Sequence, residues 1–250
     1  MKKLFVLTSL SILLSPFSYS QITGDRGYVG LSVGPNIPTG DFASKDINKP
    51  TAGWAKTGYV ADVSLAYNVA KNFAVIGMLR TQGNSVDFEP LLTELSIQNP
   101  SITWAIPPSS WNLYSLMGGG QMELPINMSA SFLLKVMAGI ANISSPEIKI
   151  VGSQGYNSAS VTIESSSANA SILLLGGGFK IALNENIGLL LNLDYSKTTP
   201  QFTNVKTTSA FAPTTTQTFS QPYSTYNLSV GIAFTIKSRL PALLPRGKYL

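Results

Sequence analysis

Residues 224–236 read Ser-Thr-Tyr-Asn-Leu-Ser-Val-Gly-Ile-Ala-Phe-Thr-Ile. Successive side chains of a strand point to opposite faces. Tyr226, Leu228, Val230, Ile232, Phe234 and Ile236 therefore share one side, and Asn227, Ser229, Gly231, Ala233 and Thr235 the other. One face is apolar; the other is small and polar.

Working back towards the N-terminus, the same period-two pattern recurs over about 187–198, 168–183, 129–143, 111–124, 73–83, 57–68 and 27–35. In 57–68, for example, Tyr59, Ala61, Val63, Leu65 and Tyr67 oppose Gly58, Asp62, Ser64 and Ala66. The connections alternate in length. Residues 36–55, 83–110, 144–167 and 199–223 are long, whereas 69–72, 125–127 and 184–186 are short. Each run is near the roughly 9–11 residues that cross a bilayer on a tilt, although the first is short. Loops of such length are uncommon in a compact soluble domain. Within them the pattern predicts a short helix around 91–97 and a hairpin in 147–164, where Ile148 and Ile150 alternate before a Gly-Ser-Gln-Gly turn and Val161 and Ile163 after it. That hairpin is expected to protrude as a ribbon with an open edge, and 199–223 to be a Thr-rich loop.

Periodicity alone does not say which face is outward, because a soluble ligand-carrying barrel alternates equally well with its apolar face inside. Composition separates the two. A second face turned to water should be crowded with Lys, Glu and Thr; here it is mostly Gly, Ala and Ser. Charged residues are 12% of the chain, against about 25% in ordinary globular domains. Aromatics near strand ends on the apolar face (Tyr59, Tyr67, Phe73, Tyr114, Phe132, Phe179, Tyr195, Tyr226, Phe234) suit interfacial girdles. The expected fold is an all-β, about eight-stranded antiparallel up-and-down transmembrane β-barrel, with long extracellular loops and short periplasmic turns.

The N-terminus supports export. Met1-Lys2-Lys3, an apolar run from Leu4 to Leu14 and Ser18-Tyr19-Ser20 form the basic, apolar and small-residue parts of a secretory signal peptide over 1–20. The barrel then occupies 21–250, with a short periplasmic tail over 237–250. Net charge is +5, or +3 without Lys2 and Lys3, and no basic cluster supports nucleic-acid binding. Cysteine and histidine are both absent, which removes disulfides, thiolate chemistry and Cys- or His-based metal sites.

Within the final strand, Ser229, Gly231, Phe234 and Ile236 resemble the C-terminal assembly signal of outer-membrane barrels: a polar residue, a glycine two later, then spaced apolar residues. Together with the strand pattern over 27–236, the chain resembles the small OmpA/OmpX-like outer-membrane β-barrel family, a porin-family type of barrel protein. The resemblance implies an outer-membrane location, lipid around the barrel and a barrel-insertion machine as a partner during assembly. Enzymes on this fold (deacylases, palmitoyltransferases, phospholipases, omptin proteases) rely, as the resemblance implies, on histidine that this chain lacks. The tail is far too short for the peptidoglycan-binding domain of larger relatives.

Asp62, Arg80, Glu123, Lys135, Lys180 and Asp194 have lumen parity and are expected to form a structural salt-bridge plug, with a gated ion path as the alternative. The glycine triplets 118–120 and 176–178 lie mid-strand, where they relieve crowding rather than cradle phosphate. The reading is a monomeric, cofactor-free, non-enzymatic barrel with a structural, adhesive or surface-binding role through its loops and a possible extracellular ligand. A small-solute channel is the first alternative and a soluble lipocalin-like carrier the second.

Overall fold

The computed structural model describes residues 25–237. The signal-peptide reading and the tail beyond Lys237 lie outside the described residues.

Eight strands close into one barrel: β1 (Asp25–Pro38), β2 (Gly58–Ala70), β3 (Phe73–Ser85), β5 (Ser110–Pro125), β6 (Ala130–Ser144), β9 (Ser167–Ala182), β10 (Ile187–Thr198) and β13 (Tyr223–Lys237), each antiparallel to its neighbours. Pairing of β1 with β13, for example Leu31 with Ile232, seals the cylinder and leaves no edge. The expected strands are all present, with bounds shifted by a few residues. The first is longer than read, because the chain continues extended past Val33 to place Asn36 inside the barrel mouth, where Asn84 donates to it at 3.1 Å.

The apolar face points out. Leu31, Val63, Leu79, Leu116, Val136, Leu193 and Val230 are exposed on the outer wall. Tyr59 and Tyr67 on β2, like Tyr226 and Phe234 on β13, stand eight residues apart. That is roughly 26 Å of strand, which on a tilt of about 40° spans about 20 Å along the membrane normal, most of an apolar band of the order of 25 Å. The loop-side girdle is tyrosine (Tyr59, Tyr114, Tyr195, Tyr226), with Tyr195 and Tyr226 rings 5.1 Å apart. The turn-side girdle is mainly phenylalanine, with Phe132 and Phe179 paired at 5.3 Å.

The inward face departs from the expectation of small polar residues. Ile76, Met78, Leu113, Met117, Leu133, Met137, Ile143, Ile172, Leu174 and Leu190 are buried inside the barrel. They come chiefly from β3, β5, β6 and β9, so one side of the lumen is an apolar core. The opposite side, from β1, β2, β10 and β13, is polar: Ser32, Asp62, Ser64, Asn192, Asp194, Ser196, Asn227 and Ser229 are buried there. A lumen this narrow must be filled by its own side chains, and packing half of it with Met, Leu and Ile stabilises by ordinary apolar burial.

The loop side differs most from expectation. The predicted hairpin exists as β7 (Ile148–Gln154) and β8 (Asn157–Ile163), joined by Gly155 and Tyr156, with Gly155 at φ +59°. Its edges are not open. β4 (Thr103–Ala105) from the second long connection pairs with β7, and β11 (Gln201–Ser209) from the fourth pairs with β8. β11 continues into β12 (Thr215–Ser220), which corrects the reading of 199–223 as a loop: Thr-rich runs form strands readily but show no apolar alternation. The result is a five-stranded sheet in the order β12-β11-β8-β7-β4. The helix α1 (Glu89–Gln98) lies where expected and buries none of its side chains.

Candidate functional site

Two places could carry function: the lumen and the sheet above its mouth. In the lumen, β2 and β3 pair so that Asp62 faces Arg80 directly. Arg80 Nε donates to Asp62 Oδ1 at 2.5 Å and Nη2 to Asp62 Oδ2 at 2.8 Å, while Nη2 also reaches across the barrel to Asp194 Oδ2 at 2.6 Å. Lys135 Nζ, from β6, lies 3.0 Å from Asp194 Oδ1. Two carboxylates and two cations thus form a neutral buried quartet. Gly176 makes room for it: a Cβ there would run into Asp194 Oδ1 and come within 2.7 Å of Lys135 Cε.

Glu123 and Lys180 do not join the quartet. They form a separate pair at 2.5 Å nearer the turn side, both partly exposed. Lys180 also sits 5.5 Å over the Tyr28 ring, whose hydroxyl donates to Gln121 at 2.8 Å. Above the quartet the polar side becomes uncharged. Gln82 donates to Asn227 at 2.8 Å, Ser196 and Thr225 bond at 2.9 Å, and Tyr223 Oη donates to Asn84 at 3.0 Å.

An aromatic cluster that sequence reading missed closes the mouth. Phe42, on a 3-10 turn (Gly40–Ala43) in the first long connection, is fully buried between Tyr223, 3.9 Å between centroids, and Trp111, 5.8 Å. Trp111 continues the contact to Phe202, and Phe202 stacks on Phe219. Trp111 Nε1 donates to the Gly53 carbonyl at 3.0 Å. Phe42, Phe202, Phe219 and Tyr223 fall in stretches read as loop, whereas Trp111 opens a stretch read as strand, so nothing in the sequence joins them. The connection is latched by Asp87, which binds Lys45 Nζ at 2.5 Å and Lys56 Nζ at 3.2 Å and accepts the Glu89 backbone N–H at 3.3 Å. The hydrogen bond from Lys45, then those from Lys56 and the backbone, hold its carboxyl below the usual carboxylate range against the opposing effect of burial.

Of the assembly-signal residues, Ser229 and Gly231 face the lumen and Phe234 and Ile236 the outer wall, on a strand paired along both sides. Among the described residues no three acidic side chains converge to hold a metal ion.

No curated protein matches this sequence. Among solved structures, Neisserial surface protein A (NspA) is similar at 11% identity over 86% of this chain and 100% of its own, with a TM-score of 0.48. A major outer membrane protein from Thermus thermophilus is similar at 12% over 83% and 99%, with a TM-score of 0.47. Ail, the attachment invasion locus protein of Yersinia pestis, is similar at 14% over 86% and 100%, with a TM-score of 0.40. The profile of the family described as the outer membrane protein beta-barrel domain matches residues 5–234. That match spans all eight barrel strands almost to the end of β13, and with it the chain belongs to that family of integral outer-membrane barrels.

Proposed function

We propose that the protein is a non-enzymatic surface-contact protein in which a sealed barrel anchors a rigid extracellular sheet. The observation that carries this reading is the assembly of β4, β7–β8 and β11–β12, from three separate long connections, into one sheet. Independent loops would have been flexible; strands paired across connections hold a fixed surface. The absence of histidine from the whole chain supports the non-enzymatic part. The filled lumen and the Phe42–Trp111–Tyr223 plug weigh against the channel alternative. Export through a cleaved signal peptide at 1–20, and reading of Ser229, Gly231, Phe234 and Ile236 by the insertion machinery, belong to the same proposal, as does a monomeric state.

β12 is the open side of the sheet. Thr215–Ser220 is uncharged and pairs only with β11, whereas β4 at the other edge is three residues long and flanked by Pro100, Pro107 and Pro108. Edge strands left unblocked accept an added strand, so an extended partner segment pairs there. The test is surface binding by intact cells carrying either the native chain or one with 148–163 replaced by a two-residue turn. Binding should disappear while outer-membrane insertion and heat-modifiable gel mobility persist. Binding that survives the replacement would refute the reading.

A further inference from the structure

The distal part of the sheet carries no charge. No Asp, Glu, Lys or Arg occurs between Glu94 and Glu123, between Lys149 and Glu164, or between Lys206 and Lys237. These intervals contain all of β4, β8 and β12 and the membrane-distal parts of β7 and β11. Ordinary soluble domains carry about a quarter charged residues overall. Interfaces with folded proteins, moreover, are commonly steered by complementary charge.

A groove of about 380 Å³ lies in this uncharged region, on the β4–β7–β8 face. Its floor is the cross-strand pair Gly152 and Ala159, with Trp104 opposite Gly152 on β4. The bare glycine lets the indole settle on β7: an added Cβ would lie 2.8 Å from Trp104 Cζ3. Phe211, 85% exposed, flanks the groove from the β11–β12 connection. Gln154 and Asn157, a cross-strand pair on the same face as Gly152 and Ala159, are exposed at the rim, and their side chains have no hydrogen-bond partner among the described residues.

We propose that this groove binds an uncharged saccharide. The inference rests on the rigid-sheet reading above and adds, on the β4–β7–β8 face, a ligand separate from the extended segment accepted at the β12 edge. A pyranose ring presents a C–H face that packs on an aromatic ring, bordered by hydroxyls that both donate and accept. Trp104 and Phe211 supply the aromatic surface, and the free amides of Gln154 and Asn157 supply neutral donors and acceptors. The volume is within the range of small-ligand sites, about 300–1,000 Å³. An anionic sugar would find no cation there, and a cationic ligand no carboxylate.

The test uses the full-length barrel in detergent micelles, followed by tryptophan fluorescence and by calorimetry during titration with maltoheptaose, with tetra-N-acetylchitotetraose and with heparin as a polyanionic control. A neutral sugar should bind saturably and without salt dependence, and heparin should not. Phe211→Ala, at an exposed position that leaves folding intact, should raise the apparent Kd about tenfold, and Trp104→Ala at least as much. Flat titrations with both neutral sugars, or sugar affinity unchanged from the native protein in both variants, would each overturn the proposal. Flat sugar titrations alongside sheet-dependent cell binding would sink this inference and leave the surface-contact reading standing. Sugar binding without sheet-dependent cell binding would do the reverse.

Discussion

Arg80 and Asp62 stand directly opposite each other on β3 and β2, and the guanidinium grips both carboxylate oxygens while extending a further bond to Asp194. Arg80 is 2% exposed, so its removal strands two carboxylates against Lys135 alone. Arg80→Ala should destabilise the barrel by about 3–5 kcal/mol, the usual cost of breaking a buried ion pair from one side. The double change Asp62→Ala with Arg80→Ala leaves the Asp194–Lys135 pair neutral and should cost less than Arg80→Ala alone. Urea unfolding in micelles, read by gel mobility, measures both; a double variant weaker than the single would contradict the neutral-quartet account.

The plug at the mouth predicts electrical silence. Purified protein in planar bilayers should show no sustained large conductance, since residues from both sides of the lumen meet at the quartet and the aromatics close the top. Phe42→Ala should lower stability by about 3–5 kcal/mol, as buried aromatic truncations do. It should not create a pore, because the quartet lies beneath. Steady opening of the wild type would restore the channel alternative.

Asp87 makes the first connection acid-sensitive. Its carboxyl is held below its ordinary value by Lys45 and Lys56. A depressed acid contributes stability that is complete above its unfolded pKa, about 3.9, and is lost as pH falls through the folded value. Amide exchange in residues 39–57, taken relative to the intrinsic rate at each pH, should therefore accelerate as pH drops below about 4. In Asp87→Asn the same exchange should already be fast at neutral pH and respond less to acid. Equal exchange profiles in the two proteins would dismiss the latch.

Two lipid-facing substitutions separate membrane energetics from recognition during assembly. Val230 lies mid-band on β13, where an arginine costs about 2–4 kcal/mol; Phe234 lies in the turn-side girdle, where the cost is about 0–1 kcal/mol. If the final strand is read during insertion, Phe234→Arg should block assembly at least as strongly as Val230→Arg. Pulse-chase measurement of folded barrel in the outer membrane decides it, and a ranking that follows depth alone removes the assembly-signal role.

The barrel was legible because each of its strands has one face against lipid, which forces period-two alternation, as in Leu228, Val230 and Ile232. The same rule identified Asp62, Arg80, Lys135 and Asp194 as luminal, but register was needed to show that Arg80 bridges two acids and that Glu123 and Lys180 stand apart. The apolar half of the lumen was hidden because Met117 or Ile172 has the right parity for the inside and yet the wrong polarity for an aqueous one. The extracellular sheet was hidden for another reason. β12 is polar except at Phe219 and β4 is three residues long, so neither has a period to detect; β4 exists through pairing with distant β7, and β12 as the outer arm of a hairpin with β11.

That pairing has a mechanical result. A protease cut between Gly155 and Tyr156 would break the covalent ribbon at its tip. Each half would still be rooted in a different barrel strand and zipped to a neighbour, β7 to β4 and β8 to β11. The nicked molecule should keep its outline on the cell surface and fall into two fragments only when boiled, so damage to the exposed crest need not undo the structure that carries it.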